Sequence, residues 1–110
     1  MIDETLDRIE NRLRNLESLD ADKKRELANL VSKLKAEVVE LSQTHAEHAE
    51  SITRFADLSA HEATRQDFNQ DLRDISSEGL STSVKGFEAS HPKLVDIVNA
   101  ICTQLAHLGI

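Results

Sequence analysis

Three residue pairings in this 110-residue chain have the types that chemistry requires. The first is His45 and His48. Three residues apart on a helix, both imidazoles share one face and can reach the same metal ion. Two ligands do not complete a site, since zinc takes four, or three and a water. His61, thirteen residues further on, cannot join them along a straight helix. A homodimer would supply His45 and His48 twice, giving a layer of four imidazoles. Such a layer could also respond to pH, because imidazole titrates near neutrality. The plainer reading is a pair of partly exposed histidines on a loosely covered stretch. The second pairing, Glu88 and His91, has the E-x-x-H spacing of di-iron carboxylate bundles. Those sites need two such motifs and two further glutamates, and this chain has one copy, ending at Pro92. The third is Cys102 with His107. Five residues apart on a helix they lie on different faces, so no base stands within reach of the thiol.

No glycine-rich phosphate loop and no G-x-S-x-G elbow is present. A chain with few, short loops has little from which to build a cleft. The expectation is a non-enzymatic protein with no cofactor.

Helices must position these residues. Glycine occurs three times and proline once, and alternating β-branched or aromatic runs are missing. That is the composition of an all-α protein. Ile2, Leu6, Ile9, Leu13 and Leu16 follow a 4,3,4,3 spacing, which predicts an amphipathic helix. Ser18 or Asp20 can cap the next helix. The short turn makes the two helices antiparallel neighbours, with Leu6, Ile9, Leu13 and Leu16 packing on Leu27, Leu34, Val38 and Leu41.

The second stripe continues through Val31, Leu34, Val38, Leu41, His45, His48, Ile52 and Phe55. It then slips phase into Leu58, His61, Arg65, Phe68, Leu72 and Ile75. Two successive three-residue steps form a stammer, which overwinds or breaks a helix. Ser59-Ala60-His61-Glu62 fits a capping box at the same place. A kink or restart is therefore expected at 58–60. Thr44-His45-Ala46-Glu47 fits the box too, but the stripe runs through it. A straight helix over 21–76 would be about 80 Å long, whereas a compact domain of this size is only about 35 Å across. The helix breaks, or the protein is elongated with partners along its length.

Residues 76–90 are rich in Ser and Gly and read as a linker or a weak helix. Pro92 suits the first turn of a last helix, whose stripe is Leu94, Val98, Ile101, Leu105 and Leu108, with Gly109 as its stop. The expected organisation is a single helical domain. Its parts are an N-terminal hairpin (1–41), an acidic His-containing helical segment (42–75), a connection (76–90) and a C-terminal helix (91–110).

The net charge is −7, from 20 acidic and 13 basic residues. That excludes a general nucleic-acid binder, which needs a basic footprint. With no Trp or Tyr and three Phe, base-stacking platforms are excluded as well. No apolar run approaches the roughly 20 residues of a membrane span. The acidic start lacks the features of a signal peptide. A lone cysteine fits a reducing, cytoplasmic setting. The excess acid sits in the middle, where residues 42–82 hold eight acidic and three basic groups. This is a solvated helix face or a docking surface for a basic protein.

The stretch Phe87-Glu88-Ala89-Ser90-His91-Pro92-Lys93-Leu94, with the amphipathic helix after it ending in Leu108-Gly109-Ile110, resembles the ending of a bacterial family of short helical proteins, domain of unknown function 4404. The N-terminal helix, the Ser-Leu-Asp turn and the second helix to about Leu41 are similar to it as well. Typical members are shorter, so residues from about 43 to 72 read as an insertion. The resemblance implies a small bacterial helical protein and nothing catalytic.

Large apolar side chains are few once the eleven alanines are set aside. With heptad seams at both ends, that favours a homodimer forming a four-helix type of bundle. The expected seam is Leu6, Ile9, Leu13, Leu16, Leu27, Leu34, Val38, Leu41, Leu94, Val98, Ile101 and Leu105. The leading functional expectation is an interaction and self-association protein. The alternative is a metal- or pH-responsive sensor built on His45 and His48.

Overall fold

The computed structural model describes residues 1–17 and 19–108, and builds them from five helices. These are α1 (Ile2–Arg14), α2 (Ala21–Ser42), α3 (Ala46–Thr64), α4 (Gln70–Ser83) and α5 (Pro92–Ala106). No strand occurs among the described residues, and the fold is all-α. The molecule measures 38 × 25 × 23 Å, so the 80 Å rod is not formed.

Three of the helices start on clear local signals. Asp20 caps α2, its carboxylate accepting from the Lys23 N–H at 2.9 Å. Ser18 and Gly109, the other expected cap and stop, lie outside the described residues. Asn69 caps α4 in the same way, accepting from the Leu72 N–H at 3.1 Å. Pro92 occupies the first turn of α5.

The breaks in the long second stripe differ from expectation. The helix is continuous through 58–60 and interrupted at 43–45 and 65–69. At the first interruption the Leu41 carbonyl accepts from both the Thr44 and His45 N–H groups, at 3.1 and 2.8 Å. Ser42 and Thr44 turn their hydroxyls back onto the Val39 and Leu41 carbonyls. Such local bonds compete with continuation of a helix. Ser59 is no cap: its hydroxyl donates to the Ser76 carbonyl at 2.9 Å and ties α3 to α4. The Ser/Gly-rich connection is also shorter than expected, since α4 runs to Ser83 and only 84–91 link it to α5.

The stammer has a physical reason. The inward face of α3 is Ala49, Ile52, Thr53, Ala56, Ser59, Ala60 and Ala63, spaced mostly three and four apart and all buried. The larger Phe55 and Leu58 stand on the outer face. A stripe drawn through the large residues therefore leaves the buried face at Ile52.

The seams at the two ends are filled within the single chain. Leu6, Ile9, Leu13, Leu27, Leu34, Val38, Leu41, Leu94, Val98, Ile101 and Leu105 all lie in one core, with Leu16 partly buried against it. Side chains of α1, α2, α3 and α5 meet around a residual apolar cavity of about 10 Å³, bounded by Leu13, Leu34, Ala60 and Leu105 among others. At that size and polarity it stays dry.

One buried charge joins the last two helices. Arg73 donates to the Ala106 carbonyl at 2.9 Å, binds Asp74, and lies over the Phe68 ring. A cation at this place answers the unpaired carbonyls at the end of α5.

Because α3 touches each of the other four helices, its small residues set the spacing of the core. Ala60→Leu is expected to cost about 1–3 kcal/mol by overpacking. Thermal melting followed by circular dichroism checks this, and an unchanged melting temperature would contradict the assigned role.

Candidate functional site

The structure brings His45 and His48 together with a third histidine. His45 precedes α3, His48 lies in its first turn, and His91 precedes α5. All three rings pack around Phe87. Ring centroids lie 5.6 Å from Phe87 for His45, 5.4 Å for His48 and 5.6 Å for His91, each in an edge-to-face arrangement. His45 stands 6.1 Å from His48 and 6.4 Å from His91. Phe87 is buried beneath them, while His45 and His48 remain exposed.

The two helix starts that carry this cluster are built alike. His45 has φ −135° and ψ 63°; His91 has φ −138° and ψ 62°. Each follows a hydroxyl residue. Thr44 Oγ1 and His45 Nδ1 share a hydrogen bond at 2.8 Å, and Ser90 Oγ and His91 Nδ1 share one at 2.9 Å. In each, the histidine N–H donates to the carbonyl four residues back, Leu41 or Phe87, at 2.8 and 2.7 Å. The hydroxyl bonds hold both rings through Nδ1. Gly86 makes the turn that sets Phe87 in place. Its φ of 98° lies where a side chain is strained, and its N–H donates to Glu88 Oε2 at 2.8 Å.

Phe87 occupies the middle of the cluster. Among the described residues no three His, Cys, Asp or Glu side chains are grouped so as to hold a metal ion. Glu88 and His91 lie outside the helices, so their spacing does not put them on a common helical face. Cys102 is half-buried, its Sγ 3.6 Å from the Ser77 carbonyl, and burial pushes its thiol above the ordinary range. His107, by contrast, caps the far end of α5. His61 shares α3 with His48, near the helix's opposite end.

Beside the cluster, an open groove of about 510 Å³ runs between α3 and α4. His48 and Lys85 stand at one end, and Phe55, Ile75, Glu78 and Gly79 line its length. Gly79 forms its floor: a Cβ there would lie 2.5 Å from Phe55 Cε1, so the ring rests directly on the α4 backbone. The same side of the two helices carries Leu58 and Leu72. Phe55 is 37% exposed, Leu58 44%, Leu72 41% and Ile75 65%. The second stripe placed all four of these residues in a seam, and the structure leaves them facing solvent.

No protein-family model, curated protein or solved structure gives a significant match to the chain. The resemblance to the short bacterial helical family thus rests on the residues that carry it. Among the described residues no helix is long and apolar enough to cross a membrane.

The Phe87 cluster depends on one backbone turn. A Cβ at residue 86 would meet no neighbour within 4 Å, so Gly86→Ala is charged with backbone strain alone, about 1–2 kcal/mol. The expected outcome is a lower melting temperature, with the His45, His48 and His91 imidazole resonances moving together. Unchanged resonances would separate the cluster from the turn.

Proposed function

We propose that this chain is a non-enzymatic helical interaction module whose contact surface is the outer face of α3 and α4. One observation supports the reading. Phe55, Leu58, Leu72 and Ile75 stay on the surface while every helix also contributes to a filled core. Large apolar side chains grouped on one side of a soluble fold mark interaction sites. Phe55 and Ile75 line the open groove between α3 and α4, and docking of an amphipathic helix into an apolar groove is a recurring mode of peptide recognition. The reading includes a bacterial, cytoplasmic setting. Membership of the short helical family is part of it, carried by the Glu88–Pro92 cluster and the first two helices. The heptad seams expected to hold a homodimer are filled inside the single chain, so self-association would need a face other than those seams.

A second reading is a metal- or proton-responsive device, favoured by the three imidazoles around Phe87. Zinc or nickel titration, and melting compared at pH 5.5 and 8, test it. Equal responses from the native chain and a His45→Ala/His48→Ala variant would remove it.

For the leading reading, Leu72→Ser/Ile75→Ser is the decisive variant. It is expected to keep native helix content and stability within about 0.5 kcal/mol, as surface substitutions do. It should lower binding of an apolar-surface dye several-fold. Dye binding equal to that of the native chain would overturn the interaction-surface reading.

A further inference from the structure

We infer that the α3–α4 groove takes a basic amphipathic helix, with its apolar side chains on Phe55, Leu58, Leu72 and Ile75 and its Lys or Arg side chains on Asp71 and Glu78. The inference rests on the interaction-surface reading and adds the chemistry of the partner.

Charge around the groove carries the argument. The exposed charged residues of α4 are Asp71, Asp74 and Glu78. Asp74 is bound by Arg73 at 3.0 Å, and Arg73 itself is buried. Asp71 and Glu78 make no ion pair among the described residues. The arginines of α3 and its C-cap are already engaged: Arg54 with Glu50 at 2.6 Å and Arg65 with Glu62 at 3.0 Å. Lys85 and His48 stand together at one end of the groove. The half that holds the apolar residues is thus flanked by uncompensated acid, within the segment where the chain's negative charge is concentrated.

Spacing adds a register. Asp71 and Glu78 are two turns apart on one side of α4, roughly 10 Å along its axis. Leu72 and Ile75 lie between them, toward α3. A partner helix with cations seven residues apart and an apolar stripe beside them would meet both features at once. A second copy of this chain is a poorer occupant. It would bring its own Asp71 and Glu78 to the contact, on a molecule already at −7, and like charges across an interface cost affinity.

The test uses the full chain and two labelled synthetic helices of equal length, one of Leu and Lys and one of Leu and Glu, read by fluorescence anisotropy. The Leu/Lys peptide is expected to bind one to one and the Leu/Glu peptide not at all. Asp71→Asn/Glu78→Gln should weaken binding at least tenfold. Leu72→Ser/Ile75→Ser should weaken it by at least as much. Asp3→Asn/Glu4→Gln, which removes two exposed acids from α1, should leave it unchanged. Equal weakening by the α1 substitutions would mean that net charge alone attracts the peptide, and would overturn the inference. So would equal binding of both peptides, or absence of binding, or a stable dimer of the native chain that Leu72→Ser/Ile75→Ser dissolves. If dye binding still falls in that variant while the Leu/Lys peptide fails, the surface stands and only the partner assignment is lost. If neither responds, both fail.

Discussion

Four helices can lie against α3 at once only because its inward face is small. Ala49, Ala56, Ala60 and Ala63 let neighbouring backbones approach closely, and Ile52 is the one large apolar side chain buried on α3. The leucine- and isoleucine-rich faces of α1, α2 and α5 fill the space around this thin central helix. Small against large is how a core reaches native density without voids. It also explains how a chain with few large apolar residues closes a core by itself. The same economy of size operates between α3 and α4, where Ser59, Ser76 and Gly79 permit a close crossing sealed by one hydroxyl-to-carbonyl bond.

This arrangement decides what is left outside. With its inner face given to alanine, α3 carries Phe55 and Leu58 on its other side, beside Leu72 and Ile75 of α4. Charge is sorted in the same step. Arg73 turns inward to end α5, so α4 shows solvent its acids and not its arginine. An apolar strip with an acidic border follows from how the core is filled.

Much of this was legible in the sequence, and the misreadings share a cause. The stripes of α1, α2 and α5 are drawn by Leu, Ile and Val against charged neighbours, and burial follows them residue by residue. Along α3 the contrast inverts: alanine marks the inside, and the large residues mark the outside. A rule that follows size therefore continues a seam through Phe55 and Leu58 and sees a stammer where the fold has an uninterrupted helix. The true interruption at 43–45 falls beside the Thr44–Glu47 pattern, but no capping box forms there: His45 is the N-cap, without a side-chain cap bond, and the regularity of the large residues runs straight through. His45 and His48 were legible as a pair. His91 joins them only through the turn at Gly86, a contact between segments some 40 residues apart that no local pattern encodes.

The two histidine turns have one more consequence. They match in backbone angles, in the hydroxyl held to Nδ1 and in the carbonyl that receives the histidine N–H, yet proline follows one and alanine the other. His91 already shows that this conformation tolerates a following proline, and among the described residues the Ala46 N–H donates to no carbonyl across the turn. Position 46 is therefore a vacant proline site. A ring there would leave the folded state as it is and restrict the unfolded chain, an entropic gain of about 0.4–1 kcal/mol in stability.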